Sequence, residues 1–257
     1  MRRREPFFAN INLLGRCELD CPFCLGHSVP FAPSPKEIPN HQDWPNLDKF
    51  LDRCRGREID RINLTGLNVD PLQYEDLSGL CNELHEGGFK VGLRTNGLHA
   101  RERMAEVNAF DSVGYTHVSK KWCASPPDVV DLVRATTAPT RVSFVMTEQT
   151  IGELWPLIWK FRAGKKPKYL QIRKVWGGSD ADCAMFDQFA ASLDVDHKME
   201  ERFCEAPTYT VLGMKVVLWT TVETTANSLN YFIDGTISDE YVIVGGYNVA
   251  RALERKR

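Results

Sequence analysis

The sequence predicts an α/β protein: a partial (β/α)6 barrel of mainly parallel strands, followed by a strand-rich C-terminal extension. Three observations predict it. Short apolar runs rich in β-branched and aromatic residues alternate with longer segments of helical periodicity, the pattern of repeated βα units. Six such units occupy residues 1–180, too few for an eightfold barrel of about 250 residues but suited to an open one. From Pro207 onward, strand-like runs follow one another without helical segments between them. The composition, 257 residues with 43% hydrophobic and 26% charged, is that of a globular chain. Its length allows one large or two modest domains, read here as a core over 1–180 and an extension over 181–257 that closes the barrel mouth.

Strands are expected, in chain order, at Phe7–Leu14, Asp60–Leu64, Phe89–Arg94, Val113–Val118, Thr140–Met146 and Tyr169–Val175. Helices are expected at Asp48–Arg53, Tyr74–Glu86, Ala100–Asn108, Pro127–Arg134 and Ile151–Arg162. Leu77, Leu80, Cys81 and Leu84 give the second helix an apolar stripe at i, i+3, i+4 and i+7, and Gly87-Gly88 ends it. Trp155, Trp159 and Phe161 read as the core side of the fifth helix. Phe31–Asn46, with five prolines in or beside it, is a crossing loop, either a pocket rim or an inert connector. In the extension, Thr208–Val211, Lys215–Thr220, Tyr231–Ile233 and Tyr241–Val244 read as strands, with Asp234-Gly235 as a hairpin signal between the last two. The Thr-, Asn- and Ser-rich run from Trp219 to Asn230 is a candidate substrate-orienting wall, or an ordinary sheet rim.

Charge and length of apolar runs exclude several classes. With 32 Lys plus Arg against 34 Asp plus Glu, the net charge is −2, which argues against the basic surface that nucleic-acid binding uses. No run approaches the roughly 18 apolar residues needed to span a bilayer, and no signal-peptide segment follows the N-terminal arginines. The expected location is cytoplasmic, with no membrane partner. Reducing conditions there argue against a disulfide framework for eight cysteines, so clustered cysteines point to a metal site.

The cluster is Cys17-Glu-Leu-Asp-Cys21-Pro-Phe-Cys24, directly after the first strand. It offers three thiolates where a structural zinc site wants four, and no paired partner follows downstream. Zinc stays the competing reading. Soft thiolates also hold iron–sulfur clusters, and a cubane with three protein ligands leaves one iron open to a small molecule.

This Cys-x3-Cys-x2-Cys motif, with Phe23 just before the last cysteine, resembles the signature of the radical S-adenosylmethionine superfamily. The resemblance covers roughly residues 7 to 176. It implies a [4Fe–4S] cluster on Cys17, Cys21 and Cys24 and S-adenosylmethionine on the open iron. Its reductive cleavage would give a 5′-deoxyadenosyl radical that abstracts hydrogen from a substrate, with a flavodoxin or ferredoxin as reductant. Where many members have Gly-Gly-Glu-Pro after the second strand, this sequence has Thr65-Gly66-Leu-Asn68-Val-Asp70-Pro. Thr65 and Gly66 would present backbone groups to the cofactor, with Asn68 or Asp70 as acceptor. Thr95-Asn96-Gly97 is similar to a Thr-Asn-Gly after the third strand, which implies a cofactor contact for Asn96, a turn being the alternative. Ser119 stands where members place a polar residue against the cofactor ribose, with capping of the next helix as the alternative. Arg173, on one strand face with Gln171, suits bidentate carboxylate binding or a surface ion pair.

Cys183 and Cys204 are the only cysteines after the sixth strand, too few for an auxiliary cluster. Cys204 is the candidate hydrogen donor to a substrate radical, with burial as a small apolar residue the competing role. The absence of further clusters, of a recognisable peptide-binding domain and of basic charge favours a small-molecule biosynthetic substrate: an amino acid, sugar or nucleoside. A maturase of a ribosomal peptide is the alternative enzyme, and a non-catalytic iron–sulfur or zinc protein the alternative class.

Overall fold

The computed structural model describes residues 8–19, 21–24, 37–175, 178–196, 199–203, 206–219 and 228–239. Cys204, the strand expected at 241–244, residues 31–36 of the 31–46 loop and residues 220–227 of the candidate wall lie outside these.

Six βα units are present in the expected order. The strands are β1 (Phe8–Leu14), β2 (Arg61–Leu67), β3 (Lys90–Thr95), β4 (Ser112–Thr116), β5 (Thr140–Met146) and β6 (Tyr169–Lys174). The helices are α1 (Leu47–Gly56), α2 (Leu77–Glu86), α3 (Met104–Val107), α4 (Val129–Ala135), α5 (Ile151–Arg162) and α6 (Asp180–Asp196). The stripe Leu77, Leu80, Cys81 and Leu84 is buried as its spacing predicts, and Gly88, at φ 86°, takes the left-handed turn that ends α2. This helix starts three residues later than expected, because Asp76 caps it by accepting from the Gly79 N–H at 3.1 Å. The preceding Pro71–Gln73 forms its own 3-10 turn, capped by Asp70. The sequence reading missed α6, whose apolar Phe186, Ala190 and Leu193 form a narrow stripe among aspartates.

The fifth helix corrects one expectation. Leu154, Leu157, Ile158 and Phe161 face the core, whereas Trp155 and Trp159 are 43% and 52% exposed. One helix face cannot hold both sets, and the aliphatic one takes the core. The outward indoles lie against Phe189 and the Arg162 guanidinium.

The extension adds β7 (Met199–Phe203), β8 (Ala206–Val211), β9 (Met214–Trp219), β10 (Ser228–Phe232) and β11 (Ile237–Ser238). Asp234-Gly235 does turn a hairpin, but between β10 and β11. All eleven strands form one sheet, in the order β11-β10-β1-β2-β3-β4-β5-β6-β9-β8-β7. From β10 to β9 every pairing is parallel. The extension therefore continues the core sheet at both of its edges.

That order requires curvature. In a flat sheet, seven gaps of about 4.8 Å would put β9 about 34 Å from β10, with the end of one strand facing the start of the other across the strand length. The chain covers the path from Trp219 to Ser228 in nine residues, which reach about 32 Å at full extension. The sheet must curl, as a partial barrel does.

The two faces of the sheet differ. Ile11, Leu64, Leu93, Tyr115, Phe144 and Ile172 are at most 1% exposed and join the helices in one core. The opposite face carries Asn10, Asn63, Gly92 and Ser112 at paired positions of β1 to β4, and Thr116, Ser143 and Gln171 at paired positions of β4 to β6. Asparagines link three strands there: Asn10 Nδ2 donates to Asn230 Oδ1 at 2.9 Å, and Asn63 Nδ2 to Asn10 Oδ1 at 3.4 Å.

Candidate active site

The three cysteines leave the end of β1 in a short loop in which the Cys24 N–H donates to the Cys21 carbonyl at 2.9 Å. Neighbouring loops hold it from several sides. Asn96, just past β3, donates its side-chain N–H to Cys17 Sγ at 3.7 Å, and the Leu19 N–H approaches the same sulfur at 3.4 Å. Asn68, in the left-handed region at φ 58°, accepts from the Cys24 thiol at 3.9 Å. Gln73 donates to the Arg16 carbonyl at 3.1 Å, and His99 meets Glu18 at 3.1 Å. Phe23 sets its ring edge-on to Trp122, in the loop after β4, with centroids 5.2 Å apart. The loops after β1, β2, β3 and β4 thus converge on the cysteine motif.

Two residues shape this convergence. At Gly66 an added Cβ would lie 1.6 Å from the Val69 carbonyl oxygen, because residues 67–70 fold back over the end of β2. Only glycine permits that approach. Asp70 is 4% exposed, and its carboxylate accepts from the Thr95 hydroxyl at 2.8 Å, the Asn96 N–H at 2.6 Å and the Leu72 N–H at 2.9 Å. All three donors belong to the protein, and through the Asn96 N–H this carboxylate sets the position of Asn96. Burial pushes its carboxyl above the ordinary range, while the Asn96, Leu72 and Thr95 donors pull it back.

Ser119 is fully buried, donates to Glu153 Oε1 of α5 at 2.7 Å and accepts from the Lys121 N–H at 3.1 Å, which caps a turn. Glu153 also holds His117 Nε2 at 2.7 Å, and the His117 ring stacks on Phe144. Sequence reasoning missed this cluster and Trp122, since neither has a spacing signature. Thr65 is half-buried in β2 opposite Asn12, and Arg173 shares a strand face with Gln171, opposite Val145 and beside Trp219.

Three cysteine sulfurs in one loop are a donor set that an iron–sulfur cluster accepts, leaving one iron without a protein ligand. N–H donors from Asn96 and Leu19 toward Cys17 Sγ suit a sulfur that carries charge. Burial raises the free Cys17 thiol above its ordinary value, with Asp70 and Cys24 adding to the rise and Leu19 and Asn96 opposing it.

No protein-family model matches the sequence. Among solved structures, the fold is similar to Streptococcus suis SuiB bound to the precursor peptide SuiA, with a TM-score of 0.61 and 13% identity over 94% of this chain and 61% of that one. It is equally similar to SuiB bound to S-adenosylmethionine, with a TM-score of 0.61 and 13% identity over 94% and 60%. SuiB itself gives 0.62 and 12% over 94% and 62%. The chain spans about three fifths of the length of SuiB. This comparison overturns the expectation of a small-molecule substrate, which rested on features the sequence lacks: the neighbour of like fold was solved on a precursor peptide. No helix among the described residues is long and apolar enough to cross a membrane. With its cysteine loop at the end of the first strand of a curled, mainly parallel sheet, the chain has the partial-barrel fold of the radical S-adenosylmethionine enzymes.

Proposed function

We propose that this protein is a radical S-adenosylmethionine enzyme that modifies a ribosomally made peptide. The observation that carries the reading is the convergence of four loops on Cys17, Cys21 and Cys24 in a fold shared with a protein solved with both S-adenosylmethionine and a precursor peptide. A [4Fe–4S] cluster on the three cysteines, with S-adenosylmethionine, would supply a carbon radical able to abstract hydrogen. The protein's own residues do the positioning. Asn96 and Leu19 steady Cys17, Asn68 steadies Cys24, and Asp70 fixes Asn96 from behind. The folded-back 67–70 segment over Gly66 presents backbone groups beside the motif. The polar face of the sheet offers hydrogen-bonding groups to a peptide, while the opposite face is sealed by helices, which keeps water from one side of the reacting centre.

The test is anaerobic reconstitution with iron and sulfide, then dithionite and S-adenosylmethionine, with peptides from short reading frames adjacent to the gene. The expected result is 5′-deoxyadenosine and a mass change on one peptide, both absent from the Cys17, Cys21 and Cys24 triple Ala variant. Failure to assemble a cluster, with one zinc bound in its place, would overturn the reading. So would cluster assembly with no 5′-deoxyadenosine and no modified peptide.

A further inference from the structure

The eight parallel strands, β1 to β6 with β9 and β10, contain no Asp or Glu. Their polar face nonetheless carries Arg61, Lys90, Arg94, Arg141, Arg173 and Lys215. The strands themselves bring no carboxylate to this face, and Lys90 takes its counter-charge from Asp60, which precedes β2, at 3.6 Å.

Arg141 is the most informative of these. Arg94, Gly114, Arg141 and Tyr169 are direct partners on β3, β4, β5 and β6, so they form one row across the face. The missing side chain at Gly114 leaves room for Arg141 to lie over β4: a Cβ there would stand 2.6 Å from Arg141 Nε and 3.3 Å from Nη2. The guanidinium is thereby aimed from β5 toward the Arg94 strand. Its hydrogen-bond partner is the neutral Tyr169 hydroxyl, 3.4 Å from Nη1, and among the described residues it has no carboxylate in ion-pair range. A half-buried guanidinium is normally paired, since five donors must be satisfied. Two residues along the same face of β5, Ser143 Oγ is buried with no hydrogen-bond partner among the described residues. A guanidinium fork and, two residues on along the same strand face, a spare hydroxyl are donors of the kind a carboxylate accepts.

We propose that Arg141 and Ser143 bind a carboxylate of the substrate, the side chain of an Asp or Glu in the peptide. The proposal rests on the peptide reading above and names one residue class the peptide must carry. Arg141 stands three strands from β2, about 14 Å at 4.8 Å per strand. An acidic side chain held there leaves several ångströms of peptide to reach back toward Thr65 and the cysteine loop. The methionyl carboxylate of S-adenosylmethionine has the same chemistry, and the test separates the two.

The full chain, with its cluster reconstituted, is titrated with N-acetyl-glutamate N-methylamide and with the glutamine isostere, binding being read by saturation-transfer NMR. The glutamate compound should bind at least tenfold more tightly than the glutamine one. Arg141→Met and Gly114→Ala should each weaken it at least tenfold, and Ser143→Ala a few-fold. The Gly114→Ala variant guards against misfolding, because every atom it meets belongs to the Arg141 side chain and none to the backbone; Arg141→Lys should retain part of the binding. S-adenosylmethionine affinity should stay within twofold of wild type in Arg141→Met. Equal binding of the two compounds, or glutamate binding unchanged in Arg141→Met, overturns the proposal. A tenfold loss of S-adenosylmethionine affinity in that variant also overturns it and assigns the arginine to the cofactor. Because glutamate binding needs no radical chemistry, a failure to form 5′-deoxyadenosine tells against the proposed function and leaves this result standing.

Discussion

On the helix-covered face of the sheet, Ile11, Leu64, Leu93, Val142, Phe144 and Ile172 are excluded from water and interlock with α1 to α6. On the other face, neighbouring positions of the same strands carry Asn10, Thr65, Arg94, Arg141, Ser143 and Arg173. Parallel sheets are ordinarily apolar on both sides, because helices cover both. Here the alternation along each strand gives folding energy to one side and ligand chemistry to the other. Strong effects on stability and strong effects on binding should therefore fall at alternate residues of the same strand.

The largest expected effect tests that separation. Leu93→Ala should cost about 2–5 kcal/mol in urea unfolding, from lost burial and the cavity left behind, whereas Thr65→Ala should cost under about 1 kcal/mol. Comparable costs would break the distinction between the faces. Next, Gly66→Ala should cost about 1–3 kcal/mol, because the Val69 carbonyl it strikes is backbone and cannot swing away. It should also lower the iron retained after reconstitution, which an iron assay reads.

Asp70→Asn should cost about 1–3 kcal/mol by leaving a buried donor facing the Asn96 or Leu72 N–H. Its pH signature has a definite sign. Burial raises the carboxyl in the folded state, so its contribution is fully present below the ordinary Asp value of about 3.9 and is lost as pH rises through the raised folded value. The variant should lack that downward slope in a stability-against-pH series. Glu106 has the opposite sign. Arg103 grips it while donating to the Leu72 and Tyr74 carbonyls, both at 2.6 Å, and this bond holds its carboxyl below the usual range. Its contribution, about 1 kcal/mol, is present above about 4.3 and should be lost as pH falls through the depressed folded value. Glu106→Gln should remove that dependence. The smallest effect is expected at Trp159→Ser on the exposed side of α5, within about 0.5 kcal/mol by thermal unfolding.

How much of this was legible in sequence depends on the range of the interaction. The strands could be read from their apolar runs and α2 from its stripe and glycine stop, because those signals are local. The spacing of Cys17, Cys21 and Cys24 is a local signal of the same kind. Asp70 could not be assigned, since its role depends on Thr95 and Asn96 at the end of another strand. The bond of Ser119 to Glu153 could not be foreseen, because Glu153 reaches it from α5, 34 residues away in sequence. Trp155 and Trp159 have core-like composition, and only the competing set Leu154, Ile158 and Phe161 shows which way the helix turns. Arg94 and Arg141 could be read on their strands, but the row they form through Gly114 depends on register, which short runs leave open.

The pairing of β10 with β1 also has a consequence for how the protein is made. Phe8 sits beside Ser228, so the first strand waits for one of the last. At about 5–20 residues per second, a ribosome needs on the order of ten to forty seconds to deliver that partner. During this interval one edge of β1 has its peptide groups unpaired, an invitation to pair with another nascent chain. The Asn10–Asn230 bond, closed across 220 residues, can form only after synthesis has passed Asn230. Yield on expression should therefore respond to translation rate and chaperone supply more sharply than the stability of the finished fold would suggest.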